Sequence, residues 1–255
     1  MKLKTIAASL ATAAALSLAS TSASAVTVAG VTWDPNSDFD FLAQSSLWET
    51  VAATAGQTIT GYGIFSFFNG LSDDTFCPDC ELTYHFYDYE LIETYDPVVG
   101  SSFRFSGGVV DVYVSERNFS SIDPSSAMDG LLWLQLVGMD HDGDGDTLDG
   151  SITAVSSLGL GVSGQGEGYL EVVGGLAKDY FDTNGQPNPL TGPADILYTS
   201  SFQPLRTPIV QDGVTYTHGG TAEISGNTVP EPSALALLGL GLLGLGAARR
   251  MKKAA

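Results

Sequence analysis

The sequence predicts an all-β ectodomain, a β-sandwich of jelly-roll type with short helices, set between two hydrophobic ends. Three observations carry this. The interior is written in short runs of β-branched and aromatic residues punctuated by Gly and Asp. Several of these runs alternate apolar and polar residues with the period of a half-buried strand. Long stretches with the 3.6-residue period of an amphipathic helix are missing.

The chain opens with Lys2 and Lys4, continues through an uncharged apolar zone over 6–19, and reaches Ala23-Ser24-Ala25. Positive start, apolar run and small-residue cleavage site in that order read as a secretory signal over 1–25. The apolar zone falls short of the ~20 residues a membrane helix needs. Export also sets the redox context, because compartments beyond the inner membrane are oxidising.

Within 26–229, strands are expected at 26–33, 58–69, 81–89, 103–115, 131–137, 152–155, 168–173, 195–202 and 214–224. The segment 103–115 alternates best, with Val110, Val112 and Val114 on one face and Asp111 and Tyr113 on the other. The run 131–137 is dense enough for a strand buried on both sides. Short helices are expected at 47–53 and 176–181. Five glycines crowd 159–168, where Gly159, Gly161 and Gly164 match a dinucleotide fingerprint. That fingerprint needs a strand before it and a helix after it; more strand follows here, so it carries no nucleotide reading.

Charge excludes some partners. Six of the ten basic residues lie in the two ends, leaving Arg104, Arg117, Lys178 and Arg206 against 28 acids in 26–229, a formal charge of −24. Nucleic-acid binding relies on basic groups displacing counterions from phosphates, so nucleic acid is not an expected partner. The same sign disfavours an anionic membrane surface.

Chemistry concentrates in two places. Asp140-His141-Asp142-Gly143-Asp144-Gly145-Asp146 sets carboxylates at positions 1, 3 and 5 and glycine at 6, the first half of an EF-hand-type calcium loop. Asp146 would offer its carbonyl at position 7. Position 12 is Ser151 rather than the bidentate Glu of the full loop, so a missing ligand has to come from Asp149, another segment or water. The competing reading is an acidic turn between strands, which Asp and Gly suit without metal. Five carboxylates in ten residues repel without a cation, so Asp140, Asp142, Asp144, Asp146 and Asp149 are the candidate ligands of a structural calcium, with an affinity of the order of 10⁻⁴–10⁻³ M. Cys77 and Cys80 form the one C-x-x-C. Redox or zinc work would want a helix after the first cysteine or further ligands, and only His85 lies near in sequence. An exported chain favours a local disulfide, with free thiols the alternative.

No G-x-S-x-G or H-E-x-x-H occurs, and no catalytic residue is assigned. Trp33, Trp48, Trp133 and the tyrosines are either a sugar-stacking face or core.

The C-terminal segment 230–255 combines Pro230-Glu231-Pro232, an uncharged Leu/Gly/Ala run over 234–248 and the basic cluster Arg249, Arg250, Lys252 and Lys253. At about 1.5 Å per residue the run spans roughly 22 Å, a short transmembrane helix whose basic end stays cytoplasmic. In order, spacing and position this tail resembles the PEP-CTERM sorting signal of Gram-negative bacteria. The resemblance implies recognition of Pro230, Glu231 and Pro232 by exosortase, a cysteine-dependent membrane transpeptidase, after transient insertion in the inner membrane. It also implies a final place at the cell surface or in the extracellular matrix. Segments such as CELTYHFYDYEL and FRFSGGVVDVYVSE look like stretches found in other such proteins and imply no activity. The resulting expectation is a non-enzymatic surface or matrix protein with a structural or adhesive role, exopolysaccharide being the expected partner. A carbohydrate-binding module and a secreted glycoside hydrolase are the alternatives.

Overall fold

A computed structural model describes residues 25–35, 41–184 and 191–229. The expected signal helix and C-terminal transmembrane helix lie outside the described residues. The chain is β-rich, as its sequence predicts. A hairpin of β1 (Val26–Val28) and β2 (Val31–Trp33) precedes β3 (Phe41–Glu49), β4 (Thr58–Phe68) and the short β5 (Leu71–Ser72). One helical turn, α1 (Asp73–Phe76), leads to β6 (Glu81–Leu91) and β7 (Ser102–Ser115). A 3₁₀ turn at Pro124–Ala127 comes before β8 (Leu131–Gly138) and β9 (Leu148–Val155). Then follow β10 (Val162–Gly174), a second helical turn, α2 (Lys178–Phe181), and the long pair β11 (Ile196–Gln211) and β12 (Val214–Gly226).

The topology corrects the jelly-roll expectation. All the long strands belong to one antiparallel sheet, ordered β11-β12-β3-β4-β6-β7-β8-β10-β9, and β10 also pairs with β11. That last pairing closes the sheet. β8 and β9 occupy a single position between β7 and β10: β8 covers Val109–Val114 of β7, and β9 covers Ser102–Phe105. Counting them as one strand leaves eight positions, each neighbouring the next in sequence, with β12 returning to β3. This is an up-and-down barrel, which removes sheet edges by closure instead of by packing two sheets together.

The alternation along each strand decides what faces inward. In β3, Phe41, Ala43, Ser45 and Leu47 are buried while Leu42, Gln44, Ser46 and Trp48 are more accessible. The helix expected over 47–53 is absent, because its first residues complete this period-two run and pair on both sides, with β12 and with β4. The 176–181 expectation contains α2. Outward positions of β3, β11 and β12 carry Gln44, Ser46, Ser201, Thr221 and Glu223, a polar outer face on this side of the barrel. A lipid-spanning barrel shows the opposite arrangement, an apolar band outside.

One end of the barrel is plugged by aromatic side chains. Trp33 is almost fully buried, stacks on Phe181 at 5.2 Å and meets Trp133 edge-on at 5.8 Å. Phe41 and Phe68 complete the cluster, 4.9 Å apart. Trp133 Nε1 donates to Val28 O at 3.1 Å, tying the hairpin to β8. At the same end the fully buried Asp195 accepts from Val172 N, Thr183 N and Thr183 Oγ1, which holds the start of β11 against β10. Buried carboxylates persist when hydrogen-bonded in this way. The opposite end holds a cavity beneath the loop that joins β3 to β4.

Candidate metal loop and sorting signal

The acidic loop is an excursion from the middle of a strand. β8 ends at Gly138 opposite Leu170, and β9 begins at Leu148 opposite Gly168, so nine residues leave and return across the width of Tyr169 alone. Met139 N donates to Tyr169 O at 2.8 Å, and the His141 ring stacks on the Tyr169 ring at 4.2 Å. On the return, Thr147 N donates to Phe105 O at 2.8 Å and its hydroxyl to Gly107 O at 2.7 Å. Both stems are therefore fixed to the barrel.

Inside the loop, Asp140 organises the backbone. Its Oδ1 accepts from Gly143 N at 2.7 Å and its Oδ2 from Gly145 N at 3.1 Å. Gly143 and Gly145 have φ of +85° and +97°, a region that side chains rarely adopt, with open space where a Cβ would sit. Asp142 Oδ1 and Asp144 Oδ1 accept from Asp144 N and Asp146 N. The result brings carboxylate oxygens of Asp140, Asp142 and Asp144 within 4.8 Å of one another on the exposed side, a group able to hold a metal ion.

Asp146 and Asp149 stand apart from that trio. Asp146 is buried, and its carboxylate meets Arg104 at 3.4 Å; Arg104 also reaches Asp144 at 3.2 Å and Glu93 at 3.3 Å. Burial, followed by the neighbouring Asp149 and Asp144, pushes the Asp146 acid up to about 6. Asp149 lies in β9 directly opposite Arg104 of β7, and burial with the charge of Asp144 raises its acid too. Asp144 moves the other way, held low first by the backbone N–H of Asp146. Ser151, position 12 of the calcium register, is a ladder residue paired with Ser102 and Gln165. The loop thus has an outer trio shaped for a cation, and Arg104 ties one of its members, Asp144, to the buried Asp146. Sequence reasoning missed Arg104; its one signal was that it is among the few bases of a strongly acidic body.

Cys77 and Cys80 form a disulfide with Cα atoms 5.0 Å apart, between α1 and β6. Arg117 donates to Cys77 O at 3.0 Å and pairs with Asp73 and Asp74, so this loop too is pinned to the barrel. Of the tryptophans, Trp33 and Trp133 are core, and the half-buried Trp48 stacks on Tyr62 at 5.6 Å in a satellite cluster with Tyr216 and Phe119.

At the plugged end the described chain leaves the barrel. Thr228 is buried, and Val229 N donates to Tyr180 O at 2.8 Å. Residues 228–250 match the PEP-CTERM protein-sorting motif. The chain carries a PEP-CTERM sorting signal. Neither a curated protein nor a solved structure matches the chain. The PEP-CTERM signal marks an exported protein that passes through a membrane-anchored sorting intermediate, and it is the recognition signal for exosortase. Pro230, Glu231 and Pro232 lie outside the described residues and follow directly on the Val229–Tyr180 anchor.

Proposed function

We infer that this PEP-CTERM protein is a non-enzymatic component of the surface or exopolysaccharide matrix of a Gram-negative bacterium, where calcium stabilises its barrel. The observation that carries the reading is the junction at Val229: the sorting signal begins where the plugged end of a polar-faced barrel finishes. Release there would free the whole barrel with its closed end, disulfide and acidic loop intact. The body's charge suits a calcium-containing matrix, because divalent ions bridge acidic protein and acidic polysaccharide while relieving self-repulsion. The test is co-sedimentation with the host's exopolysaccharide. The mature protein is expected in the pellet with millimolar calcium and in the supernatant with chelator; equal partition in both would exclude the matrix role.

Calcium is the ion expected at Asp140, Asp142 and Asp144, because hard carboxylate oxygens on a flexible loop suit its irregular coordination. With an affinity of 10⁻⁴–10⁻³ M, 10 mM calcium stabilises by about 1–3 kcal/mol through mass action. For a chain of this size that corresponds to a rise in Tm of about 3–10 °C. The shift should be larger at pH 8 than at pH 5, because Asp146, pushed up to about 6, holds a proton at the lower pH and takes a negative charge away from the loop. Asp140→Asn/Asp142→Asn/Asp144→Asn should abolish it. A calcium-independent melting curve for the parent protein would remove the metal from the account.

A further inference from the structure

We propose that the interior beneath the β3–β4 loop is a binding site for a small organic cation bearing apolar groups, with Glu49 as counter-ion and Tyr84, Tyr95 and Tyr198 as walls. The cavity has a volume of about 70 Å³ and lies at the end of the barrel opposite the aromatic plug. A buried water needs roughly 10–15 Å³ measured in this way, so there is room for several waters or one compact organic head group. Its lining is aromatic and aliphatic, the composition of a small-molecule pocket. Glu49 is the one carboxylate among the described residues that line it.

Strand parity explains how an acid comes to be there. Glu49 continues the inward series Phe41, Ala43, Ser45, Leu47 of β3. Across the ladder with β12 it faces His218, and across that with β4 it faces Gly61. His218 does not neutralise it: the ring nitrogens are engaged by Val162 O at 3.0 Å and Thr217 Oγ1 at 2.9 Å, and burial lowers the imidazole's affinity for protons. Tyr84 Oη hydrogen-bonds with Ser45 Oγ and Ser46 O, and Tyr95 Oη donates to Ala52 O. None of these hydroxyls reaches the carboxylate, and the described residues give it no hydrogen bond. Desolvation pushes the Glu49 acid up to about 8.

Glu49 is half-buried against an apolar, aromatic lining, where an acid without a protein hydrogen bond is costly unless water or a ligand satisfies it. Aromatic faces attract cations through their quadrupole, most strongly where water is excluded. A carboxylate among tyrosines therefore selects a cation with an apolar periphery over a neutral molecule of the same shape. The −24 body raises the local concentration of any cation before it reaches the cavity mouth.

Tetramethylammonium is a suitable probe because its charge does not titrate, and tert-butyl alcohol is its neutral counterpart in shape. Binding to the mature protein is read by calorimetry or ligand-observed NMR from pH 6 to pH 9. Only the ionised carboxylate pairs with the cation, so the apparent affinity should rise about tenfold per pH unit up to about pH 8 and then level off. Tert-butyl alcohol should bind at least tenfold more weakly at pH 8. Glu49→Gln should lose at least tenfold in affinity together with the pH dependence, with folding checked by near-UV circular dichroism. Should that variant not fold, the pH profile and the cation-to-alcohol ratio of the parent protein decide. A flat pH profile, equal binding of the alcohol, or no saturable binding at millimolar probe would each overturn the proposal.

Discussion

Replacing Pro230, Glu231 and Pro232 together with alanine is expected to leave the exported chain unprocessed and held in the inner membrane. The effect should be close to all-or-none, because the three residues lie within the matched sorting motif. Proline restricts φ and donates no backbone N–H, so the sequence Pro-Glu-Pro combines one acid with two residues of limited backbone freedom. Alanine at all three positions removes both the proline restriction and the charge. The apolar run over 234–248 and the basic cluster after it remain able to insert and to keep their orientation. Membrane fractionation combined with intact-mass analysis reads the outcome: the variant keeps its tail and stays with the membrane, while the parent loses mass and moves outward. The barrel itself should be unaffected, since its last described bond, Val229 N to Tyr180 O, precedes the substitutions. Normal processing and location of the variant would show that another element directs sorting.

The contrast between what the sequence declares and what it conceals follows from locality. Strands such as β7 announce themselves, because Val110, Val112 and Val114 alternate with polar neighbours within a few residues. Closure into a barrel does not, because it depends on β10 meeting β11 and β12 meeting β3. Period-two alternation is the same for a sandwich and for a barrel. The misread segment at 47–53 shows the same limit. Leu47 and Val51, like Trp48 and Ala52, are four residues apart, at helical spacing, and the strand emerges only when Phe41, Ala43 and Ser45 are read with Leu47. In the acidic loop the 1, 3, 5 spacing was legible and corresponds to the converging trio. The tie that Arg104 makes to Asp144 and Asp146 was not, since Arg104 lies some 40 residues away on another strand. Glu49 was invisible for a simpler reason: it is one acid among 28, and only the parity of β3 reveals that it points inward.

Trp33→Ala is expected to produce the largest loss of stability of any single substitution considered. Trp33 is 1% exposed, touches Phe68, Trp133, Tyr180 and Phe181, and fastens the β1–β2 hairpin across the barrel end. Truncating a buried tryptophan costs about 3–5 kcal/mol through lost transfer energy and the cavity left behind. A chain of this size should then melt about 10 °C lower or more. Trp33→Phe is the informative control. It keeps a ring in the cluster and removes an indole N–H that finds no acceptor among the described residues, so its cost should be well below half that of alanine. The consequences reach the sorting junction, because Tyr180 packs edge-on against Trp33 at 5.5 Å while its carbonyl holds Val229. Loosening the plug should expose the chain around Val229 to added protease before the rest of the barrel opens, with cleavage products that keep the disulfide and the acidic loop. If both variants melt within 2 °C of the parent (about 1 kcal/mol at most), the aromatic cluster does not close the barrel. The junction would then owe its order to the Tyr180–Val229 bond alone.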